Sequence, residues 1–344
     1  MPPDAVSWSI HEVNGMSLKV QYEWDKLRET VVGYPHIRLG SRLPRYVGNF
    51  MPPAAMALAA EVLKEKAGLT LAEAVPELHE AAALQMDRAI ALLRDRGIVV
   101  HQIDPFQPQE EAYLADLGYR NSQQYFPRDP IVVIGDTLVE TAMYCPMRRS
   151  ERFPIRRTLA DRLRDCRVAS IPEPAPLAED EHGSFGPGPF LEGGDVFVLG
   201  PDIYVGNTGN ASNRAGIQCL RDILGDAYRV HEIRLGRKFL HLDCVLSTPR
   251  RGLAVVCRDG FIDGLPSFLN GWDLIEVSAK DAEEKLATNM LVLDEKTDLV
   301  AAELPELGEA LTRAGQDVIT LPFSAVFMWG GAFRCWHHPL IREN

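Results

Sequence analysis

The residues best suited to covalent chemistry lie at positions 329–338: Trp329-Gly330-Gly331-Ala332-Phe333-Arg334-Cys335-Trp336-His337-His338. A glycine pair lets backbone approach a ligand closely or adopt positive φ. A cysteine after it, among Arg334, His337 and His338, has neighbours that can lower a thiol pKa and make it a nucleophile. The same run would also suit a buried structural cysteine in a strand, so the rest of the chain must decide. Four other stretches carry reactive side chains: Pro127-Arg128-Asp129, Glu192-Gly193-Gly194-Asp195, His241-Leu242-Asp243 and Asn289. The steps from Asp195 to Asp243, from Asp243 to Asn289 and from Asn289 to Cys335 are nearly equal. Each stands at the entrance to an apolar segment that reads as a strand.

Such regular placement requires a repeated element. Residues 130–134 and 138–142 read as paired strands about a Gly135-Asp136 turn, followed by a helix over 154–165 and a strand over 167–171. The pattern recurs as strands 196–199 and 203–205, helix 211–224 and strand 228–233. It recurs again as 244–246, 253–257, a short helical segment near 265–269 and 273–277, and then as 290–293, 299–302, helix 304–314 and strand 317–321. Earlier in the chain, a strand over 29–34, helices over 56–66 and 76–96 and a strand over 98–103 form a unit lacking one strand. Leu78, Ala82, Met86, Ile90 and Leu93 give the longer helix its period, and Gly97 caps it. A final strand over 333–337 supplies the missing member. The expected fold is α/β: five ββαβ units with pseudo-fivefold symmetry, closed into a propeller so that no sheet edge is left exposed. An open two-lobed sheet is the alternative. The whole chain, 1–344, is expected to be a single domain, with 1–28 a polar arm bearing Trp8, Tyr22 and Trp24.

Composition narrows the partners. A net charge of −12 on 344 residues argues against nucleic acid or an anionic membrane. No window of the sequence is apolar for long enough to span a bilayer. The six cysteines show neither CxxC nor zinc spacing, which suits reduced thiols in a cytoplasmic protein. No signal pattern opens the sequence.

If the units ring an axis, their entrances converge on one mouth. A thiolate requires an electrophilic carbon, and carboxylates facing each other hold a delocalised cation. A guanidinium carbon meets both demands. Cys335 would attack it, and His241 would protonate the departing amine and deprotonate the next nucleophile. Glu192 has the reach to orient His241, while Asp129 and Asp243 grip the guanidinium. No metal or cofactor is required; carboxylates and His241 binding a metal are the competing arrangement.

At these residues the chain resembles the pentein superfamily of guanidine-modifying enzymes, whose fold is a five-bladed α/β propeller. It is most similar to the amidinotransferase branch, which includes glycine and inosamine-phosphate amidinotransferases. The likeness rests on Pro127-Arg-Asp129 with Ile131-Val-Val-Ile-Gly135, Gly225-Asp-Ala-Tyr-Arg-Val-His231, His241-Leu-Asp243, Asn289-Met-Leu-Val-Leu-Asp-Glu-Lys296 and Gly330-Gly-Ala-Phe-Arg-Cys335. It implies Cys335 as the amidino-accepting nucleophile, His241 as acid and base, and Glu192 as its carboxylate partner. Asp129 and Asp243 are the implied guanidinium ligands, with Asp195, Arg128, Asn289 and Arg258 completing the substrate-binding set. The implied reaction moves the amidino group of arginine, or a related guanidine, through a covalent amidino-cysteine to an amine, releasing ornithine. Hydrolysis of a guanidine at the same residues, and a guanidine-binding protein without catalysis, are the alternatives. A homodimer is the quaternary state that the resemblance suggests.

Departures from that branch are also visible. Amidinotransferases usually carry Asp-Ala-Ala-Asp where this chain has Glu192-Gly193-Gly194-Asp195, a form similar to arginine deiminases and dimethylarginine hydrolases. The arginine that binds substrate carboxylate in glycine amidinotransferase falls at Gly260, with Arg258 as a nearby substitute. A serine pair falls near Ala282 and Glu283.

Overall fold

A computed structural model describes residues 17–51, 53–116 and 122–343. Trp8 and most of the expected arm lie outside them. The described part of the arm is not a polar tail: Leu18, Val20 and Trp24 are buried, and so is Glu23.

The chain first lays down β1 (Lys26–Val32) and, after an excursion through helices Pro53–Lys66, Leu71–Ala74 and Pro76–Asp95, places β2 (Val99–Gln102) parallel to it. Then follow β3 (Ile131–Ile134) and β4 (Thr137–Glu140), an antiparallel hairpin, with β5 (Arg167–Ser170) parallel to β4. The same sequence of pairings gives β6 (Val196–Leu199), β7 (Asp202–Asn207) and β8 (Arg229–Arg234). It gives β9 (Leu246–Arg250), β10 (Leu253–Val256) and β11 (Asp273–Glu276), then β12 (Leu291–Asp294), β13 (Thr297–Ala301) and β14 (Asp317–Leu321). Finally β15 (His337–Glu343) runs antiparallel to β1 and completes the first sheet. The described residues thus form five three-stranded sheets, each with a middle strand antiparallel to one neighbour and parallel to the other.

Local sequence explains the crossovers. Helix Pro76–Asp95 starts on a proline, which suits the first turn because its missing N–H has no intrahelical acceptor anyway. Its Ala82, Met86, Ala89, Ile90 and Leu93 form one buried stripe. Helix Arg214–Leu224 is capped by Asn213, whose side chain accepts from the Gly216 N–H. Strands β3 and β6 are continuous apolar runs buried on both faces, as strands covered on two sides must be.

Three expectations are corrected. The helix expected over 154–165 is a 3-10 turn, Pro146–Glu151, leading into a short helix, Arg152–Thr158. Pro146 provides an earlier start than Pro154 does. In the fourth sheet the short helical segment expected near 265–269 is the 3-10 turn Ser267–Leu269, preceded by another at Arg258–Gly260. The sequence reading also missed the helix Pro108–Asp116, which falls in an expected loop. Most consequential, 333–337 is not the last strand: Phe333–Trp336 is one turn of helix, and the strand begins at His337. The His337 Nδ1 donates to the Phe333 carbonyl at 2.9 Å and closes that turn.

Candidate active site

Single turns of helix stand before three of the strands: Gly193–Asp195 before β6, Leu242–Cys244 before β9 and Phe333–Trp336 before β15. A tight turn at a strand entrance re-aims the side chains next to it. At these turns, and at the entrances to β3 and β12, Asp129, Glu192, Asp195, His241, Asp243, Asn289 and Cys335 all come to lie inside the protein, none more than 4% exposed.

His241 sits between carboxylates. Its Nε2 is 2.8 Å from Glu192 Oε2, and its Nδ1 is 3.7 Å from Asp129 Oδ1. Glu192 is fixed in turn, because its Oε1 accepts from the Tyr144 N–H at 2.8 Å. Burial works against a charged imidazole, but Asp129, the Glu192 hydrogen bond and Asp195 outweigh it and lift His241 to about 10. The ring is therefore an imidazolium at neutral pH. Gly194 makes this packing feasible: a Cβ there would lie 2.5 Å from His241 Nδ1 and 2.9 Å from Asp129 Oδ1.

Cys335 lies against a different carboxylate. Its Sγ is 3.5 Å from Asp243 Oδ2 and accepts a hydrogen bond from Asn289 Nδ2 at 3.1 Å. Asn289 Oδ1 accepts from the backbone N–H groups of Ala332 and Cys335, at 3.1 and 3.0 Å. One amide side chain thus holds both the backbone and the sulfur of the cysteine turn. Burial, with Asp243 and Asp129 nearby, pushes the thiol well above its ordinary value, so Cys335 rests protonated.

Behind the cysteine lies an ion cluster that the sequence reading did not anticipate. Arg334 donates to Asp243 Oδ2 at 3.1 Å, to Glu23 Oε2 at 3.1 Å and to the Val196 carbonyl at 2.9 Å. Arg128 also donates to Glu23 Oε2, at 3.0 Å. Burial alone would raise the Glu23 carboxyl, yet Arg334 and Arg128 hold it down to about 2. Glu23 was hidden because it lies in the stretch taken for a polar arm.

Arg148 is the other addition. Its guanidinium donates to Asp129 Oδ2 at 3.0 Å and, through Nε, to Glu151 Oε1 at 2.7 Å, and it lies 3.8 Å from Glu192. The i,i+3 spacing of Arg148 and Glu151 was the available signal. Asp129 Oδ1 keeps no hydrogen-bond partner and is buried.

A cavity of about 210 Å³ opens onto these groups and is lined by Asp129, Arg148, His241 and Cys335 at its reactive end. Asp129, Glu192 and His241 also offer three donor atoms within 4.8 Å of one another, the spacing of a metal site. The Arg148 cation already on Asp129 and the raised His241 proton would both have to yield to a metal ion.

Not every expected residue faces the cavity. Arg258 is half-exposed on the surface, with its Nε on Glu276 at 2.7 Å, and does not line the cavity. Arg128 is committed to Glu23. Asp195 accepts from the backbone N–H groups of Leu242 and Ser212, at 3.0 and 3.2 Å, and so braces the His241 turn. His338 Nε2 accepts from the Val133 N–H at 3.0 Å, and burial together with Arg128 keeps both His337 and His338 neutral. Those two histidines tie strands and turns together.

A family model for eukaryotic N,N dimethylarginine dimethylhydrolase matches residues 54–342. The uncharacterized Bacillus subtilis (strain 168) protein YkgA is 31% identical over 153 residues, which span 44% of this chain but only 52% of that protein. Mitochondrial glycine amidinotransferase of Gallus gallus is 23% identical over 358 residues, covering 94% of this chain and 82% of the relative. Among solved structures, an amidinotransferase of the saxitoxin biosynthetic pathway from Microseira wollei superposes with a TM-score of 0.78 at 22% identity, covering 95% of this chain and 98% of its own. Matched from residue 54 to residue 342 and sharing the mixed α/β fold of these enzymes, the chain belongs to that dimethylarginine dimethylhydrolase family, within the pentein superfamily, and is similar over nearly its whole length to the amidinotransferases named above.

Proposed function

We propose that the protein is an amidinotransferase that carries the amidino group of arginine, or a related guanidine, on Cys335 and delivers it to an amine. The five sheets are read as blades around one axis, which is how residues from five strand entrances come to share a small volume. The observation that carries the reading is the pairing of His241 with Glu192 at 2.8 Å at the end of the cavity where Cys335 also opens.

In this mechanism the substrate guanidinium lies against Asp129 at the reactive end of the cavity, while Asp243, expected as a second ligand, does not line the cavity and stands beside the Cys335 sulfur, held by Arg334. Asp129 Oδ1, buried and unpartnered, is the acceptor waiting for it. A cation there offsets the carboxylates that raise the Cys335 thiol, so the thiolate forms as substrate binds and one proton leaves to solvent. Asn289 Nδ2 stabilises that thiolate. Sulfur attacks the guanidinium carbon, and the C–N bond to the leaving amine breaks as the His241 imidazolium protonates that nitrogen. Ornithine departs, leaving amidino-cysteine and a neutral His241. An incoming amine then attacks the same carbon, gives its proton to His241, and the C–S bond breaks to restore the thiolate.

Water in place of the amine would make the protein a guanidine hydrolase. The Glu192-Gly193-Gly194-Asp195 form and the match to a dimethylarginine dimethylhydrolase family favour that second reading. Transfer is preferred because amidinotransferases match nearly the whole chain. Incubation with arginine, with and without primary amines, separates the two by product mass. Stoichiometric ornithine and new guanidine only when an amine is present supports transfer. Citrulline without an amine would replace it with hydrolysis, and no turnover of any guanidine would refute both.

A further inference from the structure

The reactive cavity does not end at its own walls. Phe50, Met51, Leu240 and Met328 line it and also line a second chamber of about 420 Å³. The far side of that chamber carries Phe239 and Phe327. The cations bordering the two chambers are already engaged. Arg38 forks onto Glu111 at 3.0 and 2.9 Å, and Arg42 reaches Glu179 at 3.4 Å. Arg148 is held by Asp129 and Glu151, and Lys238 meets Glu283 at 3.2 Å. A hydrocarbon chain on an incoming amine, by contrast, meets the aromatic and thioether side chains shared by the two chambers.

We infer that the acceptor is a primary amine with an apolar body, whose nitrogen reaches Cys335 while its hydrocarbon passes between Met51 and Met328 into the second chamber. This rests on the transfer reading and names its substrate class. The amine nitrogen forms a bond to the amidino carbon, the C–S bond to Cys335 breaks, and the amine proton passes to His241, so the product is an N-alkylguanidinium.

The test is a panel of n-alkylamines from ethylamine to hexylamine, with glycine for comparison and arginine as donor. Each methylene that enters an apolar wall is worth up to about fourfold in kcat/KM. Hexylamine is expected to exceed ethylamine by at least ~20-fold on that basis, and glycine to fall below both. Ser324→Phe places a ring in the second chamber from an exposed position. It should bring the hexylamine-to-ethylamine ratio down to about one, as expected when those methylene contacts are lost. Tryptophan fluorescence titration with the same amines reads binding without turnover, because Trp329 lines the reactive cavity. Transfer to small amines with no gain along the series, or a ratio unchanged in Ser324→Phe, overturns the inference. Chain-length-dependent binding without any transfer overturns the transfer reading alone and leaves the apolar subsite standing. Absence of both removes both.

Discussion

Asn289 offers the sharpest test of how the cysteine turn works, because two substitutions separate its two tasks. Its Oδ1 satisfies two buried backbone donors, and its Nδ2 donates to the sulfur at 3.1 Å. Asn289→Asp keeps the shape and the acceptor but replaces the donor by a second oxygen. Losing a hydrogen bond to a charged sulfur costs about 2 kcal/mol, or about 30-fold in rate. If the new carboxylate stays ionised, its repulsion of a thiolate at that 3.1 Å separation adds roughly 5 kcal/mol at an effective dielectric constant of about 20. A fall of 10³-fold or more in single-turnover ornithine release is therefore expected, as an order of magnitude, with a thermal midpoint close to that of the parent. Asn289→Ala strands both backbone donors at about 1–3 kcal/mol each and should lower the midpoint as well. Release within threefold of the parent in Asn289→Asp, with the fold intact, would refute the assignment of Asn289 to the thiolate.

Other expectations follow from the same geometry. Cys335→Ala should abolish turnover while leaving the far-ultraviolet circular dichroism unchanged; residual turnover at parental rate would remove the covalent step. Without substrate, iodoacetamide should label Cys335 slowly at pH 8 and faster only well above pH 9, because burial and Asp243 hold the thiol up. Mass spectrometry of the labelled peptide reads this directly, and rapid labelling at pH 7 would contradict a protonated resting thiol. Gly194→Ala should cost more than tenfold in activity, as an order-of-magnitude consequence of displacing His241 and Asp129, and the binding of a guanidine inhibitor reports the same displacement. The folded His241 holds its proton to about 10 against 6.5 when unfolded. Its stabilisation is thus complete below pH 6.5 and is lost as pH rises through 10. Urea midpoints should decline across that window and flatten in His241→Gln.

The sheets were legible because continuous apolar runs separated by Gly-Asp or Gly-Pro-Asp turns leave little choice of element. Cys335, His241, Glu192, Asp129 and Asp243 were legible because each stands at the same place in a recurring unit. What escaped depends on contacts between units. Glu23 and Arg334 are 311 positions apart, and nothing local marks one as the partner of the other. Arg148 stands in a run with Arg149 and Arg152 that resembles a solvated face, yet it is buried among three carboxylates. The helical turn at Phe333–Trp336 reads as strand because aromatic residues are enriched in strands, and what closes the turn is a side-chain bond from His337 to the carbonyl four residues back, which propensity does not register. Arg258 was placed by counting along the sequence, and the count carries no information on which way a surface turn faces.

The pairing of β1 with β15 sets the order in which the protein can assemble. Thr30 Oγ1 donates to the carbonyl of His338, 308 positions further along the chain. Until that strand docks, β1 has an open edge, Glu23 lacks Arg334, and Cys335 has neither Asn289 nor Asp243 beside it. Closing so long a loop costs chain entropy before any contact offsets it, and the compensation comes only when the last sheet forms. Refolding should therefore pass through a state with four sheets built and the thiol still in ordinary solvent. The appearance of activity, and the loss of free alkylation at Cys335, should be the final kinetic phase rather than one that tracks secondary structure.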